Sequence, residues 1–138
     1  MTLEKNTQHT RVSYTGVVLD EQSRVLIKQH VEIPEGWKEL IHHCTLCMGS
    51  IKDRSLIGNR VEMLVTELGM SDEAMAVRVL IPAKMYKAGA FKQSCRVPHV
   101  TVAIPEGSKP FFSNRITEWK KIDTIKLTGV VTEVTAIV

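Results

Sequence analysis

Apolar and polar residues alternate along several stretches of the chain, and this pattern predicts β-strands. Val61, Met63 and Val65 alternate against the polar residues Glu62 and Thr66, as expected for a strand with one buried face. The turn-forming segment SDEA follows at residues 71–74, so the next apolar run is predicted to return as the hairpin partner. Runs rich in Val, Ile and Thr predict further strands. The predicted strands are 11–20, 39–49, 60–70, 75–81, 99–104 and 123–138, the last as one long strand or two short ones.

Two segments are predicted to be helical. Asp20 can cap a helix at 21–31, whose residues Val25, Leu26 and Val31 make a partial apolar face. Ser113 or Asn114 can cap a second helix at 113–122, which carries lysines in its last turn. Residues 82–98 have a proline at each end and no clear period, so they are expected to be a loop. The pattern as a whole predicts an α+β domain with antiparallel sheets of about six strands and two helices.

Length and composition limit the class of protein. A chain of 138 residues suits a single domain, expected to span 1–138, and 43% apolar with 24% charged residues is ordinary for a globular protein. The net charge of +3 does not indicate a strong polyanion trap. No apolar run approaches the ~20 residues of a membrane helix, and no signal peptide is predicted. Three cysteines, an odd number, favour a reducing setting, so we expect a cytoplasmic protein.

Two copies of the pattern His-x-Thr-apolar carry the candidate chemistry: HCTL at 43–46 and HVTV at 99–102. Both lie on predicted strands, where residues two apart face the same way. In each copy the histidine and the threonine therefore share one face, while the other two residues point into the core. If the two strands lie close together, one cleft receives two imidazoles and two hydroxyls, from His43, Thr45, His99 and Thr101.

Two imidazoles and two hydroxyls in one cleft suit phosphodiester chemistry. A neutral imidazole can take a proton from the attacking oxygen, and an imidazolium can give one to the leaving oxygen. The usual histidine pKa near 6.5 lets both forms exist at neutral pH. Threonine hydroxyls can hold the non-bridging phosphate oxygens. This scheme uses no metal and no cofactor.

The paired motifs resemble the signature of the two-histidine (2H), or LigT-like, phosphoesterases. The stretch YTGVVLDEQSRVLI at 14–27, a strand followed by a helix, is similar to the start of that fold, and the resemblance covers most of the chain. It implies a compact 2H-phosphoesterase-like domain with both motif strands facing one cleft. His43 and His99 are closer in sequence than in the larger bacterial members. The compact form looks more like viral and RNA-repair members, including phage proteins of the anti-CBASS kind that destroy cyclic-oligonucleotide signals.

The motif leaves the substrate open. Our first expectation is a metal-independent phosphodiesterase that opens a cyclic oligonucleotide, with a neighbouring 2′-hydroxyl as the attacking group; a viral chain would then work in the host cytoplasm. An alternative is attack by water on a 2′,3′-cyclic phosphate at an RNA end, and another is a nucleotide-binding module without turnover. Small size and modest charge favour a small ligand over long duplex RNA. No membrane and no obligate protein partner are inferred.

Positive charge and aromatic rings near the second motif suggest where a nucleotide binds. Lysines and aromatic residues alternate in the predicted loop that leads to His99, where charge suits phosphate and rings suit bases. The alternatives are a solvated loop and, on the first strand, an ordinary half-buried tyrosine. The candidate substrate-binding residues are Tyr14, Tyr86, Lys87, Phe91 and Lys92.

The first motif also contains a C-x-x-C pair, Cys44 and Cys47. Zinc sites usually need that spacing twice or paired with histidines, and a redox pair needs a helix N-terminus after the first cysteine. A zinc- or redox-linked protein stays as a third function, but we expect the cysteines to fill space. Strand alternation predicts that Cys47 shares the face of His43, at the cleft edge, and that His42 faces the opposite side.

Overall fold

Seven strands and two α-helices form in residues 10–87 and 97–137, the part of the chain that the computed structural model describes. Two short 3₁₀ helices, Arg54–Leu56 and Pro110–Arg115, lie in the connections. The elements in chain order are β1 (Thr10–Leu19), α1 (Glu21–His30), β2 (Lys38–Glu39), β3 (His43–Met48), β4 (Arg60–Met70), β5 (Met75–Leu80), α2 (Lys84–Lys87), β6 (His99–Ile104) and β7 (Trp119–Ile137).

The strands form one antiparallel sheet in the order β2-β6-β3-β1-β7-β4-β5. β6 pairs with β5 as well, so six of the strands close into a ring. β6 accommodates this because β2 and β3 share its other edge, with β2 at Ile104 and β3 at Val100. The closure makes β3 and β6, which carry the two His-x-Thr motifs, direct neighbours.

The main core lies on one face of this sheet. Val61, Met63 and Val65 of β4 are almost fully buried in it, so the alternation read from the sequence is confirmed there. The β4–β5 hairpin is confirmed too, with Met70 opposite Met75 at its turn. Apolar side chains from six strands meet in this cluster, and their removal from water is the main favourable contribution to folding.

Helix α1 is held against the sheet by its first turn. The Asp20 side chain accepts a hydrogen bond from the backbone N–H of Ser23 at 2.8 Å, which confirms Asp20 as the cap. Asp20 also accepts a hydrogen bond from the hydroxyl of Thr128 on β7 and pairs with Arg60 at 3.3 Å. Ile27, one turn further along the helix, is fully buried in the main core.

A second, smaller apolar cluster lies on the opposite face, next to β6. Ala76 belongs to this cluster and Val77 to the main core, and neighbouring residues of a strand face opposite ways. Phe112, directly before Ser113, and Ile116, directly after the 3₁₀ helix, pack into the smaller cluster with Trp119. These contacts fix the segment 110–116 beside the second motif.

The helix predicted at 113–122 is wrong. The chain forms the 3₁₀ helix Pro110–Arg115 there, and β7 begins at Trp119. Trp119 pairs with Gly69 of β4, and a Cβ at Gly69 would lie 2.6 Å from the indole ring. The bare glycine thus leaves room for the indole, and pairing with β4 overrides the local pattern.

Two further boundaries differ from the sequence prediction. The strand expected at 39–49 is divided into β2 and β3, because Ile41 between them has a positive φ of 31° and its side chain turns into the core. The segment 82–98, expected to be a loop, contains the single turn of α2. The described residues therefore hold seven strands rather than about six.

The closest approach between strands generates a test of the fold. A Cβ at Gly129 would lie 2.5 Å from the carbonyl oxygen of Val18, a backbone atom that cannot rotate away. We expect Gly129→Ala to lower the free energy of unfolding by roughly 1–3 kcal/mol, the usual cost of overpacking. Urea unfolding measures this. Thr124→Ala, at an exposed position of the same strand, should cost less than about 1 kcal/mol, and equal losses would contradict the close approach.

Candidate active site

The site is built on the pairing of β3 with β6, in which Cys44 lies opposite Val100. Continued by one residue in each direction, this register sets His43 opposite Thr101 and Thr45 opposite His99. The two strands pair at Cys44 and Val100, so the motifs meet there with the histidine and threonine of each on the face opposite these two buried side chains.

The four motif side chains line one cavity of about 410 Å³. All four are partly exposed, whereas the alternate residues of the motifs are fully buried. Leu40, Met48, Pro110 and Phe111 supply apolar walls. The complete lining is Tyr14, Leu40, His42, His43, Thr45, Met48, His99, Thr101, Pro110, Phe111, Ser113 and Asn114.

His43 is enclosed by two other rings. Tyr14 of β1 stacks on it with centroids 4.7 Å apart and an interplanar angle of 25°. Gly16 makes room for both rings, since a Cβ there would lie 3.4 Å from each. Burial, together with the charges of His42 and His99, lowers the pKa of His43 to about 4. His43 is therefore a neutral imidazole at neutral pH, with a lone pair to accept a proton.

His42 lies at the same cavity, so its predicted position on the opposite side is wrong. Its Nδ1 is 3.0 Å from Nδ1 of His43, and the two rings meet edge to face. The cause is the positive φ of Ile41, because regular strand alternation begins only at His43. Burial and the charge of Arg24 lower the pKa of His42.

His99 has partners of a different kind. Its Nδ1 lies 2.7 Å from the carbonyl oxygen of Val97, and its Nε2 lies 2.8 Å from Oγ of Ser113. A carbonyl only accepts, so Nδ1 of His99 carries a hydrogen. Burial lowers the pKa of His99, and the bond to Val97 opposes this shift.

Ser113 is a site residue that the sequence prediction missed. It was assigned as a possible helix cap, but its side chain is buried at 2% exposure and its Oγ lies 2.9 Å from Oγ1 of Thr101. The hydroxyl also lies 2.8 Å from the carbonyl oxygen of Pro110. Among the described residues Thr45 has no comparable hydrogen-bond partner. The one indication of this role in the sequence was a serine between two apolar residues, Phe112 and Ile116. Both of these apolar residues are anchored in the second cluster.

Neither Cys44 nor Cys47 lines the cavity. Cys44 is fully buried, as predicted, but Cys47 does not share the face of His43. A bulge causes this: Gly16 pairs with Thr45 and Thr15 with Cys47, so the register skips one residue of β3. Because one residue is skipped, the Cys47 side chain points into the protein interior, and the Met48 side chain lies at the cavity beside Tyr14. Burial also raises the pKa of the Cys47 thiol, which disfavours thiolate chemistry.

The residues predicted to bind substrate fall in three places. Tyr14 lines the cavity. Tyr86 and Lys87 belong to the single turn of α2. Phe91 and Lys92 lie outside the described residues, so their role stays a prediction. Met48 and Phe111, which the sequence prediction did not include, are exposed apolar side chains at the cavity.

The described ranges, 10–87 and 97–137, contain neither a metal-ligand cluster nor a membrane-spanning helix. No group of three or more His, Cys, Asp or Glu side chains in them is arranged to hold a metal ion. No helix in these ranges has the length and apolar character needed to span a membrane.

Comparison with known proteins identifies a family. A family model described as the fungal tRNA ligase phosphodiesterase domain matches residues 6–135. This range includes both motif strands and the segment 110–116. This domain family belongs to the 2H phosphoesterases, so the resemblance inferred from the paired motifs is confirmed. No curated protein matches the chain.

The environment of His43 generates a prediction about stability. Between the usual pKa of 6.5 and the folded-state value of about 4, the unfolded chain binds a proton at His43 that the folded chain does not. The folded state should therefore lose about 3 kcal/mol from this group as the pH falls from 7 to 4. His42 and His99, whose pKa values are also lowered, add to the loss.

His43→Gln should remove the part of this pH dependence that His43 causes. The measurement is the free energy of urea unfolding at pH 7 and at pH 4, for both proteins. His30→Gln is the matched control, because His30 is exposed on α1. If His43→Gln leaves the difference between the two pH values unchanged, the burial of a neutral His43 is refuted.

Proposed function

The chain belongs to the family of fungal tRNA ligase phosphodiesterase domains, and we propose that it hydrolyses 2′,3′-cyclic phosphates at RNA ends. The observation that carries this proposal is the meeting of both motifs at one cavity, where His43, Thr45, His99 and Thr101 surround a common space. Acid–base groups and hydroxyls around one space are what a metal-independent attack on a phosphodiester uses.

His43 is the general base in this proposal. Its lowered pKa keeps it unprotonated at neutral pH, so it can take a proton from a water molecule that attacks the phosphorus. Tyr14 and His42 hold its ring through stacking and through the contact between the two Nδ1 atoms. A fixed ring keeps the accepting nitrogen aligned with the water, which lowers the entropic part of the barrier.

His99 is the general acid. Its Nδ1–H bond to Val97 orients the ring and supports its charged form. In the bound complex one ribose oxygen replaces Ser113 as the acceptor of Nε2–H of His99. The proton passes to that oxygen when its bond to phosphorus breaks. The products are a ribose hydroxyl and a phosphomonoester on the neighbouring carbon. The water proton held by His43 restores the balance when it returns to solvent.

Thr45 is the group that binds a non-bridging phosphate oxygen. Its hydroxyl lines the cavity and has no hydrogen-bond partner among the described residues, so it can donate to the substrate. Hydroxyl donors of this kind stabilise the negative charge that builds on phosphate oxygens in the transition state.

RNA ends are favoured over cyclic oligonucleotides by two observations. The family is that of a tRNA ligase domain, and no comparison supports a cyclic oligonucleotide or a viral counter-defence role. The cavity of about 410 Å³ is at the lower end of small-molecule pockets, which suits one terminal nucleotide. Its apolar walls at Leu40, Met48 and Phe111 suit the base.

Replacement of either histidine tests the proposed roles. His43→Ala and His99→Ala should each lower kcat on an RNA with a 2′,3′-cyclic phosphate end by about 10² to 10⁴. The double variant should be little worse than either single variant, since both groups act in one proton-transfer sequence. Product analysis by mass spectrometry measures the reaction, with cyclic di- and trinucleotides as competing substrates.

The matched control for these variants is His30→Ala, because His30 lies outside the cavity on α1. Circular dichroism should show that all the variants stay folded. Full activity in either folded motif variant would refute the acid–base roles. Tight nucleotide binding without turnover in the unmodified protein would instead identify a binding module.

Turnover should be independent of divalent metal ions, because the proposed proton transfers use only imidazoles. Addition of EDTA should change kcat by less than about twofold, against the 10² or more that loss of a general acid or base costs. A loss that zinc or manganese restores would show that a metal takes part, and the imidazole mechanism would then fail.

A further inference from the structure

Ser113 is one of three buried polar side chains in the described residues, with Thr15 and Ser23. The hydroxyls of Thr15 and Ser23 donate to backbone carbonyls of Gly49 and Thr128. The hydroxyl of Ser113 differs because it also contacts two motif side chains, His99 and Thr101. A buried hydroxyl with three partners has little freedom, so its hydrogen-bond directions can be worked out.

The backbone carbonyl groups of Pro110 and Val97 fix those directions. The carbonyl of Pro110 can only accept, so the single hydrogen of Ser113 is donated to it at 2.8 Å. The Ser113 oxygen must then accept from both Nε2–H of His99 and Oγ1–H of Thr101. The carbonyl of Val97 requires a hydrogen on Nδ1 of His99 as well. All four bonds are satisfied together only when both ring nitrogens of His99 carry a hydrogen.

We propose that Ser113 is a positioning residue that holds His99 in its protonated, proton-donating form. This inference rests on the proposed phosphodiesterase function. When His99 is neutral, Nε2 becomes an acceptor, and the Ser113 hydrogen must leave Pro110 to reach it. One hydrogen bond is lost, so the arrangement stabilises the charged ring against the cost of its burial.

The same hydroxyl can follow the reaction. In the free protein Nε2–H of His99 donates to Ser113. When substrate binds, the ribose oxygen replaces Ser113 as the acceptor of this hydrogen, and it takes the proton as its bond to phosphorus breaks, while Nε2 keeps the electron pair. After the product leaves, the Ser113 hydrogen turns from Pro110 to the lone pair on Nε2, and Thr101 continues to donate to Ser113. A proton returning to His99 from water reverses this rotation. The threonine of the second motif thus acts through Ser113.

The other titratable and charged groups around His99 do not supply this effect. Arg78 of β5 lies directly across from His99 and is paired with Glu67 at 3.1 Å. Arg115, in the same 3₁₀ helix as Ser113, pairs with Glu73. On the other side lie the uncharged ring of Tyr14 and the imidazoles of His42 and His43. Within the described residues no carboxylate contacts His99, so hydroxyl and carbonyl groups are its partners.

The test measures the titration of His99 directly. NMR of the full chain with ¹⁵N-labelled histidine gives the pKa of His99 without any substrate. Ser113→Ala should lower that pKa by about one unit, the scale expected for one hydrogen bond to a charged group. Ser113→Thr, which keeps a hydroxyl, should titrate like the unmodified protein. Ser113→Cys, with a poor hydrogen-bonding group of similar shape, should follow Ser113→Ala and serves if the alanine variant does not fold.

Kinetics on an RNA with a 2′,3′-cyclic phosphate end supply the second measurement. Ser113→Ala should lower kcat roughly 10- to 100-fold with KM changed less than about twofold, and should move the basic limb of kcat/KM to lower pH. Ser108→Ala is the matched control, because the Ser108 hydroxyl donates to the carbonyl of Glu73 and lies outside the cavity. It should leave both measurements unchanged.

An unchanged or raised pKa of His99 in the folded Ser113→Ala or Ser113→Cys variant would overturn the inference, as would a Ser113→Thr variant that titrates like Ser113→Ala. Failure of the proposed function looks different. If the unmodified protein does not cleave cyclic phosphates but the pKa of His99 still depends on the Ser113 hydroxyl, the coupling stands and the reaction assignment falls.

Discussion

The pairing of Cys44 on β3 with Val100 on β6 is the interaction on which the site depends. Both side chains are fully buried, so each holds its strand at a fixed rotation. The residues on either side must then face away from the core, toward the cavity. A slip of one residue in either strand would bury the histidine of that strand and expose its apolar side chains, which makes the slip costly. Apolar residues that take no part in the proposed chemistry therefore determine which way the motif histidines and threonines face.

The two motif strands are held chiefly by their outer neighbours. β3 pairs with β1 from His43 to Met48, and β6 pairs with β5 from His99 to Ala103. Their contact with each other is shorter, around a single pair of residues. Closure of the sheet through β7 and β4 joins the two halves from behind. This architecture places the imidazoles of His43 and His99 at the wall of one cavity, which leaves the space inside it for a ligand.

Period-two alternation was sufficient to predict which motif residues are buried, because burial of alternate residues is a local property of a strand. Three features were not accessible in this way. The bulge that places Met48 rather than Cys47 at the cavity comes from the register of β3 with β1. The position of His42 follows from the positive φ of Ile41. β7 begins at Trp119, where a helix was predicted, because Gly69 lies across from it. Each depends on a partner distant in sequence.

Ser113 belongs to the same class of features, and it explains why two motifs alike in sequence become unlike in chemistry. Among the described residues, the partners of Nδ1 of His43 can each donate or accept a hydrogen bond: the Tyr14 hydroxyl at 3.4 Å and the His42 imidazole. His99 faces a carbonyl and a hydroxyl whose own hydrogen another carbonyl accepts. The hydrogen-bond partners of His43 can adjust to a neutral ring, whereas those of His99 are all satisfied only when its ring is charged. In the proposed mechanism, the backbone carbonyls of Val97 and Pro110 thus favour His99 as the proton donor to the leaving oxygen, and leave His43 to accept the proton of water.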